Sequence, residues 1–148
     1  ILIGGGIGIP PMLETAKQLD GEKIIVLGFR DSNTFLANEL ESYGKVYIAS
    51  EDGSIGTMGN VLDAIRENNL SAKRILACGP TPMLRAIKNY ADENNIECFL
   101  SLEEKMACGI GACLACTCKS SDIDSHSKVK NKRVCTEGPV FNALEVEL

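Results

Sequence analysis

The sequence of 148 residues lacks several features that would place it in common classes of protein. No apolar run approaches the roughly 20 residues that cross a bilayer, which argues against a membrane-spanning helix. Basic residues are not in excess, because the formal net charge is -5, and an acidic chain does not favour nucleic-acid binding. The first residues show no basic segment followed by a cleavage site, as a secretory signal would. We therefore expect neither a membrane nor a nucleic acid as a partner.

The chain also lacks an initiator methionine. It starts at Ile1, inside an apolar strand pattern and only three residues before a glycine turn. Natural domains rarely begin so close to a functional turn. We expect that a preceding domain is missing from this sequence.

Cysteine, by contrast, is plentiful. There are seven cysteines, an odd number, and five of them fall between Cys108 and Cys135. The disulfide framework of a secreted domain usually has an even number spread along the chain. The clustering therefore favours a metal or redox site in a cytoplasmic protein.

The first two-thirds of the chain alternate between β-rich and amphipathic helical runs, which is typical of an α/β fold with a parallel sheet. The predicted strands are Ile1–Ile3, Lys23–Phe29, Lys45–Ser50, Arg74–Cys78 and Glu97–Leu102. The predicted helices are about Pro10–Leu19, Asn33–Ser42, Asn60–Asn68 and Pro82–Asn94, the last with Thr81 as its N-cap. After Leu102 the alternation stops, and the polar run Ser120–Lys132 is predicted to be an exposed loop. The pattern predicts two domains, 1–99 and 100–148. The second is so small that we expect a metal or another cross-link to be needed for its stability.

Loops rich in glycine follow the predicted strands and form the first candidate site. The run GGGIGIPP, Gly4–Pro11, follows a strand and opens a helix, as a turn that cradles a phosphate does. Ligands bind open parallel sheets at the carboxyl ends of the strands, and three other ends carry glycine: Gly28–Ser32, Ser50–Gly59 and Cys78–Met83. Together these loops predict a nucleotide site, whereas the glycine turn alone is equally compatible with a tight connection between a strand and a helix.

The glycine turn and the CGPTPM segment, Cys78–Met83, resemble the nicotinamide-binding domain of the ferredoxin–NADP reductase superfamily. The resemblance implies a five-stranded parallel nucleotide-binding sheet in the order 3-2-1-4-5, preceded by a flavin-binding β-barrel that is missing here. It also implies that the Cys-Gly-Pro segment borders the nicotinamide and flavin rings. Arg30 and Asp31 would lie at the adenosine ribose, where an acidic residue favours NADH and an arginine favours NADPH.

The second candidate site is the cysteine cluster. The spacing Cys108-x4-Cys113-x2-Cys116, followed after eighteen residues by Cys135, is the plant-type pattern of a 2Fe–2S cluster. Structural zinc prefers paired Cys-x2–4-Cys motifs separated by a longer stretch, so this spacing fits zinc less well. Zinc and unligated thiols remain as alternatives.

The remaining predictions for this region are that Cys118 is a non-ligand, that Cys98 is a core residue, that His126 is solvated, and that Met106, Ile110 and Leu114 keep the cluster dry.

A nicotinamide site beside an iron–sulfur site implies a flavin, because NADH delivers two electrons as hydride and a cluster accepts one at a time. The motifs SLEEKMACGIGACLACTC and RVCTEGPVF complete a resemblance to the family of electron-transfer subunits of NAD-dependent dihydroorotate dehydrogenases. That resemblance implies cluster ligation by Cys108, Cys113, Cys116 and Cys135. It implies NAD and FAD as further cofactors, with residues of this chain near them at Gly4, Gly5, Gly6, Ile7, Gly8, Arg30, Asp31, Cys78, Gly79, Pro80 and Glu104.

The same resemblance implies a separate catalytic subunit that contains FMN and oxidises dihydroorotate in pyrimidine biosynthesis. The two subunits would form a heterotetramer in the cytoplasm. Two alternatives remain from the sequence. One is an electron-transfer subunit of another complex, such as a hydrogenase or a ferredoxin-dependent NAD(P) reductase. The other is a non-enzymatic nucleotide-binding module stabilised by zinc.

Overall fold

The computed structural model describes residues 1–123 and 128–148 and shows an α/β fold around one large sheet. Its strands are β1 (Leu2–Gly5), β2 (Ile24–Phe29), β3 (Lys45–Ser50), β4 (Thr57–Met58), β5 (Arg74–Cys78), β6 (Glu97–Ser101), β7 (Thr117–Ser120), β8 (Asn131–Arg133), β9 (Val140–Asn142) and β10 (Val146–Glu147). Its α-helices are α1 (Ile9–Gln18), α2 (Ala37–Leu40), α3 (Val61–Glu67), α4 (Thr81–Glu93) and α5 (Val134–Glu137). Short 3-10 helices cover Gly6–Gly8 and Ala143–Glu145.

The large sheet has seven strands in the order β4-β3-β2-β1-β5-β6-β9. The five strands predicted from the sequence lie side by side in it and are parallel. The predicted count of five is too low, because β4 adds a short parallel strand at one edge and β9 an antiparallel strand at the other. Both extra strands are only two or three residues long, so they carry too little periodicity to be recognised.

The sheet is covered on both faces, as expected for parallel strands with near-continuous apolar sequences. On one face α1 and α2 pack through Ile9, Leu13 and Leu40 against Leu2 and Leu27. The other face is covered by α3, α4 and the C-terminal segment, whose buried residues include Ile65, Ile87, Val134, Phe141 and Val146. The C-terminal segment therefore shares a core with the nucleotide-binding half.

Two local predictions are wrong. The helix predicted over Asn33–Ser42 is reduced to the four residues of α2, because Leu36 takes a left-handed φ of 60° immediately before it. The N-cap of α4 is Pro80 rather than Thr81, and no side-chain hydrogen bond caps this helix. Pro80 is extended, with φ -59° and ψ 143°, and a non-helical backbone is usual for an N-cap residue.

After β6 the chain forms mainly short strands. Strands β10, β7 and β8 make a small antiparallel sheet, so Ser120, Asn131 and Lys132, which were predicted to lie in a loop, are strand residues. His126 lies outside the described residues. Within residues 1–123 and 128–148, no helix has the length and apolar character needed to span a membrane.

Candidate nucleotide groove and thiol loop

The glycine turn and the Cys-Gly-Pro segment meet at the carboxyl ends of two adjacent strands. Gly4 pairs with Cys78 where β1 lies beside β5. From β1 the chain proceeds to β2, β3 and β4 on one side and returns to β5 on the other, which makes this the topological switch point of the sheet. A Cβ on Gly8 would lie 2.1 Å from the Cys78 carbonyl oxygen and 2.7 Å from the Gly79 nitrogen. Only glycine therefore allows the two backbones to approach so closely.

A groove of about 730 Å³ opens at this switch point. It extends from Pro80 and the first turn of α4, across the glycine turn, to the ends of β2 and β3. Of the predicted nucleotide-binding residues, those that line it are Gly5, Gly6, Arg30, Asp31 and Pro80. Its size and largely apolar lining are typical of sites for small organic ligands.

The N-terminus of α3 forms one wall of the groove. Asn60 caps this helix, because its Oδ1 accepts hydrogen bonds from the backbone N–H of Leu62 at 2.8 Å and of Asp63 at 3.4 Å. The Asp63 carboxylate accepts in return from the Asn60 N–H at 2.8 Å, which completes a capping box. Asn60, Val61 and Leu62 line the groove, so the capping box fixes the position of this wall.

The far end of the groove contains two side chains that the sequence did not single out. Phe35 is 44% exposed, lines the groove and packs edge-to-face on Phe29, with 5.8 Å between ring centroids. Glu51 lies just beyond the end of β3. Its place in the loop Ser50–Gly59 was a usable signal, because that loop was already assigned to the ligand edge of the sheet.

A second cavity, of about 400 Å³, lies on the other side of the Cys-Gly-Pro segment. Pro80 lines both cavities, while Gly79 and Glu104 line only the second. Its opposite wall includes Thr117 and Cys118 of β7, the strand that directly follows Cys116. The second cavity therefore lies between the Cys-Gly-Pro segment and β7, the strand that follows the loop of cysteines.

The remaining predicted cofactor residues line neither cavity. Gly4 and Gly8 are buried in the turn itself, and Ile7 projects outward with 77% of its side chain exposed. The Cys78 thiol is half-buried, and burial raises its pKa. A hydrogen bond from Ser101 lowers that pKa in part, and the Glu103 carboxylate raises it further. Cys78 is therefore a neutral thiol at physiological pH, suited to contact with a ring rather than to nucleophilic attack.

The four predicted cluster ligands lie in two pairs. In the first, the Cys108 thiolate is stabilised mainly by the backbone N–H of Ile110 and Cys113, which lowers its pKa to about 6. The Cys113 N–H lies 3.4 Å from Cys108 Sγ. Gly109 and Gly111 take left-handed φ values of 70° and 77°, which turn the loop around the Cys108 sulfur.

In the second pair, the backbone N–H and the thiol of Cys135 both donate to Cys116 and lower the Cys116 pKa. The Cys135 thiol keeps its proton in that contact, so its own pKa is raised. Among residues 1–123 and 128–148, no three His, Cys, Asp or Glu side chains surround a single point as a mononuclear metal ion requires. Two thiols for each iron is the arrangement of a 2Fe–2S cluster, so the pairs fit this group better than zinc.

The other cysteines near the loop differ from these four. The Cys118 thiol is buried and donates to the Lys132 carbonyl oxygen at 3.6 Å, with its pKa raised by burial. That contact occupies the thiol and supports the interpretation of Cys118 as a non-ligand, which stays a prediction. Cys98 is a core residue, as predicted, and burial raises its pKa to about 11.

The apolar side chains of the thiol loop do not enclose it. Met106, Ile110 and Leu114 are 53%, 76% and 50% exposed, so the prediction that they keep the cluster dry is wrong. The loop is held by backbone turns, and its side chains project outward because the N–H groups face the sulfurs. The thiol loop thus presents an apolar surface to solvent.

The low pKa of Cys108 predicts selective alkylation of the iron-free full-length protein. A thiolate reacts and a thiol does not, so Cys108 should react with iodoacetamide at pH 7 well before Cys118 or Cys98, and its rate should fall as the pH drops through about 6. Short pulses followed by peptide mass spectrometry measure the order. A Cys108 rate that falls instead near the ordinary thiol pKa of about 8.5 would contradict the loop geometry.

Two family profiles match the chain. The description of the first is "Oxidoreductase NAD-binding domain", over residues 2–89. The second is "Iron-sulfur cluster binding domain of dihydroorotate dehydrogenase B", over residues 103–147. The nucleotide groove lies in the first range, and all four paired cysteines lie in the second.

Similar proteins include the dihydroorotate dehydrogenase B (NAD(+)) electron transfer subunits of Fusobacterium nucleatum, 44% identical over 156 residues, and of Bacillus velezensis, 47% identical over 152 residues. Both alignments cover 100% of this chain and 57% of the relative, so the chain spans little more than half their length. A solved structure of an NADH-dependent reduced ferredoxin-NADP oxidoreductase superposes with a TM-score of 0.84 at 29% identity, over 99% of this chain and 52% of that one. The chain belongs to the family of oxidoreductase NAD-binding domains, and its residues 103–147 match the profile of the iron–sulfur cluster binding domain of dihydroorotate dehydrogenase B.

Proposed function

We propose that this chain is the nicotinamide-binding and iron–sulfur part of an electron-transfer subunit of NAD-dependent dihydroorotate dehydrogenase. It would pass electrons between NAD(H), FAD, a 2Fe–2S cluster and a catalytic subunit that oxidises dihydroorotate in pyrimidine biosynthesis. One observation carries the proposal: a second cavity shares Pro80 with the groove at the switch point, and its opposite wall is β7, the strand that begins directly after Cys116.

Within this function the residues around the groove bind and orient the nucleotide. The backbone of the glycine turn, Gly4–Gly8, and the start of α1 would hold the pyrophosphate, because free N–H groups at a helix N-terminus favour an anion. Arg30 and Asp31 would contact the adenosine ribose at the far end. Pro80, which lines both cavities, would lie beside the two rings where they meet, and Cys78, at the strand end that leads into this segment, would approach them as the family resemblance implies.

The second cavity is the site where we place the flavin ring. Flavin accepts hydride from a nicotinamide and releases single electrons to an iron–sulfur cluster, which a nicotinamide cannot do. Gly79 and Glu104 would contact FAD from this chain. Most of its contacts would come from a β-barrel domain, which we place in the part of the full-length protein before Ile1. The exposed Ile7 beside the turn fits a surface that such a barrel covers.

The thiol loop would hold the cluster through Cys108, Cys113, Cys116 and Cys135. The catalytic subunit, with FMN, would dock near this loop, and two copies of each subunit would make a heterotetramer. All seven cysteines are free thiols, which supports action in the cytoplasm, where thiols stay reduced. The functional division would be 1–99 for the nucleotide and 100–148 for the cluster, around a nucleotide-binding core of five strands in the order 3-2-1-4-5.

The test is coupled turnover by the full-length protein together with its catalytic subunit. We expect dihydroorotate-dependent reduction of NAD+, along with iron, FAD and FMN in the purified complex. A full-length protein that oxidises NADH but exchanges no electrons with that subunit would contradict the partner assignment. A colourless protein with stoichiometric zinc would contradict the cluster assignment.

A second candidate follows from the structural similarity to the NADH-dependent ferredoxin-NADP oxidoreductase. In that case the same groove and thiol loop would serve a different electron-transfer complex. The 44% and 47% identities to the dihydroorotate dehydrogenase subunits, against 29% to this structure, favour the first candidate. Electron transfer to ferredoxin in place of dihydroorotate-linked turnover would favour the second.

A further inference from the structure

The thiol loop and α5 meet at Gly111. This glycine has a left-handed φ of 77°, and a Cβ built on it would lie 3.1 Å from Thr136 Cγ2 and 3.2 Å from Thr136 Oγ1. Thr136 therefore presents both its methyl group and its hydroxyl to the backbone of the loop. Because Thr136 directly follows Cys135, this contact lies beside a proposed ligand of the cluster.

The Cys135 sulfur accepts hydrogen bonds from a backbone group and from a side chain. The backbone donor is the Gly111 N–H, and the side-chain donor is the Thr136 hydroxyl. A backbone N–H is present whichever non-proline residue occupies the position, whereas a hydroxyl is supplied only by serine, threonine or tyrosine. The Thr136 hydroxyl is therefore a donor that a change of side chain can remove while the backbone of the loop stays as it is.

We propose that the Thr136 hydroxyl, through its hydrogen bond to the Cys135 sulfur, raises the reduction potential of the 2Fe–2S cluster. The inference rests on the proposed function, because it takes Cys135 as a ligand. A cluster held by thiolates gains a further negative charge when it is reduced. A donor to a ligand sulfur therefore stabilises the reduced form more than the oxidised form, since the hydrogen bond is charge-assisted. Thr136 is thus a positioning residue that favours electron transfer from the flavin to the cluster.

Two charged side chains flank Thr136 and are paired with each other. The Glu137 carboxylate accepts hydrogen bonds from Arg133 Nε at 2.9 Å and from the Arg133 N–H at 2.8 Å. The opposite charges of such a close pair largely cancel at a distance. Thr136 carries no charge and acts by direct contact with the sulfur, so its effect depends on the presence of the hydroxyl and can be measured by removing it.

The experiment is a redox titration of the full-length protein bound to its catalytic subunit, with the EPR signal of the reduced cluster as the readout. Thr136→Val keeps a methyl group against Gly111 and lacks the hydroxyl, whereas Thr136→Ser keeps the hydroxyl and lacks the methyl group. We expect Thr136→Val to lower the equilibrium constant for cluster reduction on the order of tenfold, which is about 59 mV for a one-electron couple. Thr136→Ser should keep the potential of the parent.

The flavin potentials from the same titration are the internal reference and should not change, because Thr136 lines neither cavity. If Thr136→Val does not retain iron, Thr136→Ala takes its place, since it also lacks the hydroxyl, and the same shift is expected. An unchanged cluster potential without the hydroxyl would overturn the inference. An equal shift in Thr136→Ser would also overturn it, because packing on Gly111 would then set the potential. A parent complex without the EPR signal would overturn the cluster assignment in the proposed function, and this inference with it.

Discussion

Replacement of Cys113 by serine should remove the cluster and disconnect NADH from the catalytic subunit. Cys113 forms the first thiol pair with Cys108, and its N–H also stabilises that sulfur. Loss of a ligand should exceed the roughly 10- to 100-fold effect of changes in outer-shell partners. We expect the purified variant to lack iron and to lose its visible absorption at wavelengths longer than the flavin bands. Dihydroorotate-linked NAD+ reduction should fall by more than about 100-fold.

The matched control for this change is Cys118→Ser. Cys118 lies two residues after the proposed ligand Cys116 and is buried, as Cys116 is. It differs from the proposed ligands in that its thiol contacts the Lys132 carbonyl. Serine can keep that hydrogen bond, so the variant should retain iron and turnover. Full iron in Cys113→Ser would show that the ligand assignment is wrong. Loss of iron in Cys118→Ser would show that Cys118 belongs among the ligands.

Gly8→Ala should be among the most damaging single changes in the nucleotide-binding half. The new Cβ would lie 2.1 Å from the Cys78 carbonyl oxygen and 2.3 Å from its carbon, both backbone atoms that cannot move aside alone. The glycine turn and the Cys-Gly-Pro segment would have to separate. We expect the free energy of unfolding to fall by about 3 kcal/mol. We also expect NADH binding to be lost, because both segments border the groove.

Urea denaturation and a fluorescence titration with NADH measure the two effects in the full-length protein. Gly21→Ala is the matched control, since Gly21 has a φ of 84° but no atom within 4 Å of a new Cβ. Backbone strain alone should cost it about 1 kcal/mol and leave NADH affinity unchanged. Equal losses in the two variants would mean that the close approach at Gly8 is unimportant.

Long, strongly patterned segments could be predicted from the sequence. Strands β3 and β5 have the bounds predicted for them, Lys45–Ser50 and Arg74–Cys78, because their apolar runs end abruptly at turn residues. The thiol loop could be recognised because its spacing is local. The predictions that failed concern elements that depend on contacts between residues distant in the sequence. Strand β9 exists because β6 offers it a partner, and no periodicity within three residues records that.

The site shows the same division between local and distant information. The glycine turn and the Cys-Gly-Pro segment were found because each has its own motif. Phe35 was missed as a groove residue because nothing local marks it, and Glu51 was not singled out within Ser50–Gly59, a loop already assigned to the ligand edge of the sheet. Their place in the groove follows from the hydrogen bonds that join the ends of β2 and β3, and from the packing of Phe35 on Phe29. The exposure of the apolar side chains at the thiol loop could not be predicted from the sequence either, because it depends on which way each turn faces.

Strand β9 has a consequence for the solubility of the protein. It covers β6, whose unpaired N–H and C=O groups would otherwise template the addition of strands from other molecules. At the opposite side β4 is only two residues long, which leaves little open edge there. The C-terminal segment that bears the thiols therefore also prevents the edge of the sheet from pairing with strands of other molecules. A chain that fails to assemble this segment would carry an exposed strand edge open to pairing with other molecules.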